Sequence, residues 1–217
     1  MRVTAQVKLE TQQAILAAAR ELFVRQGLEA TSTRAIAARA GIGVGTLFNY
    51  YPSKESLAME IAQGAFEAGR EWSAARLGER APGTTLEEDL FTLVACDLRA
   101  LAPIRRLVGE LLQAGGVAWS GVREGFGAER LADVERVLAL HDMVSRASGA
   151  MLHLYWSLYL GVLSFWAGDP SPHQEDTLAL LDQGVRMFAG AVRGAPGEAR
   201  RAEDQNAGLG PRERTGE

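Results

Sequence analysis

Apolar residues recur at helical spacing along most of this chain, and the alternating pattern typical of half-buried strands is almost absent. In the first clear example, Ile15, Leu22 and Phe23 fall on one helix face, and Gly27 follows as a terminator. We therefore predict an all-α fold of about nine helices, with a small three-helix head and a larger helical body.

Breaks in the helical pattern divide the sequence into three parts. We expect a first domain over residues 1–52, a second over 53–193 and a disordered tail over 194–217, where apolar residues are almost absent. Glycines are frequent in 114–130, so we expect that stretch to be loop-like or kinked.

Two capping sequences mark helix starts inside the second domain. Thr85-x-x-Glu88 has the pattern of a capping box. Ser171-Pro172-x-Gln174 predicts a cap, a first-turn proline and a third-position glutamine for the last helix.

The formal net charge of −4 argues against a protein that coats nucleic acid through bulk charge. The charge is uneven, however: the first 56 residues carry seven Lys and Arg against four Glu, a balance of +3, and the remainder carries −7. A basic head on an acidic body is compatible with nucleic-acid binding by the head alone.

Composition excludes several other classes of protein. The single cysteine, Cys96, rules out an intramolecular disulfide and a four-cysteine zinc site, and His141 and His153 are too few to indicate a metal. We expect no metal, no cofactor and, since no nucleophile–base pair stands out, no enzyme. We interpret the apolar stretch 151–167 as a buried helix of a cytoplasmic protein, because no signal-peptide-like run precedes the first helix.

Two short predicted helices, Thr33 to Ala40 and Val44 to Tyr50, are joined by Gly41-Ile42-Gly43. Together with the longer helix before them they have the layout of a helix-turn-helix domain. Gly41 suits the left-handed backbone of a tight turn, and Leu47 can enter the core. The second short helix then presents a narrow outer surface, which fits a DNA major groove about 12 Å wide.

At these positions the chain resembles the TetR family of bacterial transcriptional repressors. The resemblance covers Ala14 to about Leu57 and consists of these runs in one register: Gly27, Thr31-Ser32-Thr33, Ile36-Ala37, Ala40-Gly41-Ile42, Gly45-Thr46-Leu47-Phe48 and Tyr50-Tyr51-x-Ser53-Lys54-Glu55-x-Leu57. The glycines of 41–45 alone would also suit a phosphate-cradling loop, but such a loop needs a preceding strand, and Arg34 to Ala40 reads as helix.

The resemblance implies two sets of DNA contacts. Phosphate contacts are implied for Thr33, Arg34 and Lys54. Base or groove contacts are implied for Val44, Gly45, Thr46, Asn49 and Tyr50, with Phe48 on the same surface. Purely structural roles are the alternatives to DNA contact: Thr33 only caps its helix, Lys54 is a solvated charge and Tyr51 belongs to the core.

Two residues depart from the family pattern. Gly43 stands where the family usually has a hydroxyl that caps the recognition helix, and Gly is a weaker cap. Phe48 stands where the family usually has a tyrosine that donates to a DNA phosphate. These departures give slight support to an interaction module without DNA binding.

The last two long helices predict a homodimer. The stretch from Met151 to Trp166 is apolar nearly all round, and the final helix carries a stripe with coiled-coil spacing. Proteins of the resembled family dimerise through these helices as a four-helix bundle. The predicted interface residues are Leu158, Phe165, Leu178, Leu181, Val185, Phe188 and Val192.

The family's body domain usually binds a small effector. The candidate lining residues are Phe91, Arg99, Trp119, Phe126, His141, Met151, Tyr155, Trp156 and Tyr159. The aromatic residues and Met151 are by their spacing also ordinary core residues. Arg99, whose charge lies in an apolar register, could meet an anionic group or equally extend to solvent.

We expect a ligand-responsive repressor that binds a near-palindromic operator in double-stranded DNA. An activator or a co-repressor-dependent regulator would have the same sequence features. An all-α enzyme is a remote alternative.

Overall fold

The computed structural model describes residues 5–114 and 126–195. Within these residues all regular structure is helical. The nine α-helices are α1 (Ala5–Gln26), α2 (Thr33–Arg39), α3 (Val44–Tyr50), α4 (Lys54–Gly78), α5 (Leu86–Leu101), α6 (Arg105–Gln113), α7 (Phe126–Leu140), α8 (Gly149–Gly168) and α9 (Glu175–Gly194). Short 3-10 turns span Ala102–Ile104, Val144–Arg146 and Pro172–Gln174. The all-α prediction is confirmed.

Helices α1 to α3 form the head (residues 5–52) around one small core. Phe23 of α1, Ile36 of α2 and Leu47 of α3 are all buried, as the sequence pattern predicts. Tyr51 is also buried, and its hydroxyl donates to Glu60 of α4 at 2.9 Å. Its burial confirms the interpretation of Tyr51 as core and raises the pKa of its hydroxyl to about 12.

Helices α4 to α9 form the body (residues 53–114 and 126–195), in which α5 is central. It packs most extensively against α4 and also contacts α7, α8 and α9. Helices α4 and α5 cross closely at Gly69 of α4, where a Cβ would lie 2.6 Å from Asp97 Oδ1 and 3.0 Å from Asp97 Cα of α5. Only a glycine allows α4 to approach α5 this closely.

Helix α8 is buried on one face and not on the other. Tyr155, Tyr159 and Trp166 are buried, while Leu154 and Phe165 are exposed. By length and composition α8 could cross a membrane, with a mean hydropathy of 1.2 over its most apolar window. It packs instead against α5, α6, α7 and α9, so the reading of 151–167 as a buried helix holds for one face only.

The start of α9 differs from the predicted capping box. The predicted Ser171 cap is present, since its hydroxyl accepts from Asp176 N at 3.2 Å. Gln174 does not complete the box, because it accepts from Trp166 Nε1 at 2.7 Å. The carboxylate of Asp169 takes its place and accepts from the backbone N–H groups of Ser171 at 2.8 Å and Thr177 at 3.0 Å, and such charge-assisted bonds are the stronger kind.

We expect Gly69→Ala to lower the free energy of unfolding by about 1–3 kcal/mol, because the added methyl group overpacks the α4–α5 crossing. Denaturant unfolding measures the change. Gly64→Ala is the matched control: it lies on the same helix with no atom near its Cβ, and should stabilise by about 0.5–1 kcal/mol. Equal effects of the two substitutions would contradict this account of the crossing.

Candidate functional site

The turn between α2 and α3 is fixed by backbone hydrogen bonds and one left-handed glycine. Gly41 has φ +71°, and its N–H donates to Ala38 O, while Ile42 N–H donates to Ala37 O at 3.0 Å. This pair of bonds is a Schellman motif, which ends α2 and turns the chain sharply. The turn sets the angle at which α3 leaves the head.

Helix α3 has one buried residue, Leu47, and its opposite face lies in solvent. Among the predicted contact residues, Gly45, Thr46, Phe48 and Asn49 are exposed, whereas Val44 and Tyr50 are half-buried. Phe48 has 49% of its surface exposed, which is unusual for a phenylalanine without a partner. The structure thus brings six predicted residues together on one short helix.

Gly43 precedes α3 in extended conformation, at φ −73° and ψ 148°, and supplies no side-chain cap. A Cβ there would meet only Thr46 Oγ1, at 3.8 Å. The departure from the family's hydroxyl cap therefore weakens the helix start without being forced by packing.

The start of α2 carries the predicted phosphate contacts Thr33 and Arg34. The cap is not Thr33 but Ser32, whose hydroxyl accepts from Ala35 N at 3.1 Å. Arg34 is exposed and forms no ion pair among the described residues. Its guanidinium is thus available to an external anion.

The ammonium group of Lys54 is engaged within the protein, and its predicted phosphate contact stays a prediction. Its Nζ donates to the backbone carbonyls of Leu28, Glu29 and Thr31 at 2.8, 3.2 and 3.4 Å. These three bonds use all three protons of the ammonium group. Lys54 therefore ties the loop between α1 and α2 to the start of α4.

A second tie joins the head to the body, and sequence reasoning missed it. Glu110 of α6 accepts from Leu28 N at 2.5 Å, and its other oxygen accepts from Arg106 Nε at 2.8 Å. Arg106 also donates to Gln26 O at 3.3 Å. Gly27, at φ +88°, lies directly beneath both side chains. The spacing of Arg106 and Glu110 is an ordinary helical ion pair, so no sequence signal pointed to a distant partner.

The predicted effector residues do not form one site. Phe126, Tyr155, Trp156 and Tyr159 pack on one another in the body, with the rings of Trp156 and Tyr159 stacked at 5.5 Å. The cavity bordering Tyr155 and Tyr159 measures about 20 Å³, room for a single water molecule. In this structure Tyr155, Trp156 and Tyr159 are core residues, and the half-buried Phe126 packs against them.

A buried ion pair lies beside this aromatic cluster and was also missed. Arg130 and Asp97 are fully buried and form a salt bridge, and Tyr159 donates to Asp97 Oδ2 at 2.8 Å. Burial raises the pKa of Asp97 to about 6, against the opposing effect of Arg130. Asp97 lies in the apolar register of α5, which was the available signal.

The remaining effector candidates lie apart from the aromatic cluster. Phe91 and Arg99 line an open cleft between α4 and α5. His141 contacts Asp89 at 2.7 Å, and Met151 is half-buried at the start of α8. Trp119 lies outside the described residues.

The predicted dimer residues fall into two groups, one buried within the subunit and one exposed. Leu181, Val185, Phe188 and Val192 are buried within the subunit and leave little surface for a second copy to contact, and their place in the interface stays a prediction. A periodic apolar stripe shows that a helix face is covered, but not by which neighbour. Phe165 and Leu178 are exposed and Leu158 is half-buried, and they remain candidates.

No group of potential metal ligands occurs in residues 5–114 and 126–195.

The two roles of Lys54 can be separated without DNA. We expect Lys54→Met, which keeps the aliphatic stem, to lower the free energy of unfolding by about 1–3 kcal/mol, because three carbonyls lose their donor. Arg34→Gln is the control and should change stability by less than about 0.5 kcal/mol. An unchanged stability of Lys54→Met in urea unfolding would return the residue to the predicted phosphate role.

Comparison with known proteins agrees with this geometry. Residues 15–61 match the model of bacterial regulatory proteins of the tetR family. No curated protein matches the sequence.

Several solved structures share the fold. One is Thermus thermophilus FadR, a TetR-family transcriptional repressor in complex with lauroyl-CoA (TM-score 0.63, 24% identity, 82% of this chain and 93% of that chain). Another is a TetR transcriptional regulator from Nitrosomonas europaea (TM-score 0.56, 21% identity, 82% and 97%). A third is a tetR-family regulator from Streptomyces coelicolor (TM-score 0.53, 17% identity, 96% and 99%). Residues 15–61 of this chain thus match the tetR family of bacterial regulatory proteins, and the chain shares the fold of these solved structures.

Proposed function

We propose that this protein is a homodimeric, operator-binding repressor that a small effector releases from DNA. The observation that carries the proposal is the outer face of α3, where Thr46, Phe48 and Asn49 stand free on a helix held by a rigid turn. The match of residues 15–61 to a family of bacterial regulatory proteins supports a regulator rather than an enzyme. Because the partner is DNA, we place the protein in the cytoplasm.

The DNA contacts divide by chemistry. Thr46, Asn49, Gly45 and the half-buried Val44 and Tyr50 would meet base edges or the groove floor. Thr33 and Arg34 would meet phosphate oxygens, which position the head but carry no sequence information. Lys54 would act indirectly, by holding the loop that leads into α2.

The exposed apolar surface of α8 and α9 supports dimerisation. Leu154, Phe165, Leu178, Leu180 and Met187 are each at least 40% exposed. Large apolar side chains left exposed on two adjacent helices support an association site there. A two-fold dimer would place the α3 helices of both subunits about 34–36 Å apart, one turn of DNA.

Effector control would act through α4 and α6. Helix α4 starts at the head and continues along the body, and α6 holds the end of α1 through Glu110. A ligand that moves either helix changes the position of the head, and hence the spacing of the two α3 helices. The likeness to FadR, which binds lauroyl-CoA, makes acyl compounds the first effectors to test.

Selection of bound sequences from random DNA tests the proposal. We expect an enriched inverted repeat, with half-sites one helical turn apart and an affinity that falls steeply with salt as counterions are released. Absence of an enriched repeat would favour an interaction module without DNA binding. Adding an effector then shows how ligand binding is coupled to operator binding. Weaker operator binding indicates a repressor released by its ligand, and stronger operator binding indicates a co-repressor-dependent regulator.

Phe48→Tyr should tighten operator binding about tenfold, because the exposed ring gains a hydroxyl that can donate to a phosphate. Titration of operator DNA at fixed salt measures the effect, and thermal unfolding of the free protein should be unchanged. Unaltered or weaker affinity would show that Phe48 is not directed at the backbone of DNA.

Phe165→Glu should convert the dimer to a monomer and weaken operator binding, because a charge would be buried against apolar side chains of the second subunit. Sedimentation velocity measures the mass. Leu140→Glu on α7, at 49% exposure, is the matched control and should leave the dimer intact. A dimer that survives Phe165→Glu would place the interface elsewhere.

A further inference from the structure

The open cleft between α4 and α5 has the dimensions of a small-molecule site. Its volume is about 670 Å³, within the range of about 300–1,000 Å³ that ligand pockets occupy. The residues that matter for a ligand are Trp72 and Arg76 of α4, and Phe91, Cys96 and Arg99 of α5. The cleft shares no lining residue with the small cavity beside Tyr155 and Tyr159, so the two are separate features.

The charged groups of this cleft are all cationic. Arg76 and Arg99 are exposed, and neither forms an ion pair within residues 5–114 and 126–195. Both arginines line the same cleft as Cys96, and their charges oppose the rise that burial causes in the pKa of its thiol. Two like charges beside one cavity repel each other, and an anion between them would relieve that repulsion.

The walls of the cleft are apolar and partly aromatic. Trp72 has 43% of its surface exposed, and Phe91 is half-buried on the facing helix. Arg99 lies over the Trp72 ring, with its Cζ 5.5 Å from the ring centroid. This cation–π contact orients the guanidinium before any ligand arrives, which reduces the entropy lost on binding.

The neighbouring depression has the opposite character. It shares Phe91 and Thr92 with the cleft, but its rim carries Glu87, Glu88 and Asp182. The cations there are already paired, Arg193 with Glu87 at 2.6 Å and Arg186 with Asp182 at 2.9 Å. An anion is therefore directed to the Arg76 and Arg99 end.

We propose that this cleft binds amphipathic organic anions. A carboxylate, sulfonate or phosphate is held by Arg76 and Arg99, and the attached apolar group lies against Trp72 and Phe91. That such a ligand also acts as the effector rests on the proposed function, since α4 connects the cleft to the head.

Two matched dyes test the anion requirement: anilinonaphthalene sulfonate and its uncharged parent, phenylnaphthylamine. Fluorescence titrations compare the wild type with the double variant Arg76→Gln/Arg99→Gln. We expect the double variant to bind the sulfonate at least about tenfold more weakly, and the uncharged dye less than about twofold differently. Arg186→Gln removes one exposed charge from the same body and should change neither affinity.

Equal sulfonate affinity in the wild type and the double variant would overturn the proposal, as would equal losses for both dyes. A thermal melt shows whether the double variant folds; removing two unpaired, exposed charges should leave its midpoint unchanged. Should that variant fail to fold, Arg99→Lys replaces it: the charge remains but the planar fork is lost, and a loss of sulfonate affinity alone still supports the assignment.

The same proteins are titrated with the selected operator DNA. Sulfonate binding that depends on the two arginines, in a protein that binds no repeat, would contradict the proposed function and leave the cleft assigned. Operator binding with no arginine-dependent sulfonate binding would support the proposed function and contradict the assignment of the cleft.

Discussion

The crossing of α4 and α5 at Gly69 is the constraint on which the rest of the molecule depends. Helix α4 is the longest element and belongs to both parts of the chain, since it starts beside the head and continues along the body. Its close approach to Asp97 fixes its position against α5. Asp97 in turn neutralises Arg130 of α7 and accepts from Tyr159 of α8. Four helices of the body thus meet around one carboxylate.

This arrangement explains why the body has a charged interior at all. Burying an ion pair costs desolvation free energy that the mutual attraction repays only with good geometry, so a pair of apolar residues would often serve stability equally well. The buried pair instead specifies how α4, α5, α7 and α8 pack, because any shift of α5 would leave Arg130 without its partner. The two ties at the head, Lys54 and Glu110, transfer that fixed position to α1 and its loop.

The helices and the head could be predicted from the sequence, because both are determined by residues that are close together in the chain. Gly41 and Leu47 have roles that follow from a turn and from helical spacing alone. Sequence reasoning failed where the partner of a residue is distant in sequence. The register of Lys54 gives no hint that three carbonyls lie within reach of its ammonium group, and the stripe Leu181 to Val192 does not say whether α5 and α8 or a second subunit covers it. Arg99 was recognisable because a charge interrupted an apolar register, but Trp72 and Arg76 lie on a different helix.

The hydrogen bond between Glu110 and Leu28 has a consequence for synthesis on the ribosome. The head is complete once its first 52 residues have emerged, but the acceptor for the Leu28 N–H is more than 80 residues further along the chain. Until α6 is made, the end of α1 lacks both this acceptor and the Arg106 donor for Gln26. The recognition surface therefore reaches its final stability only when the regulatory part of the same polypeptide is present, so an incompletely translated chain carries a loosened head.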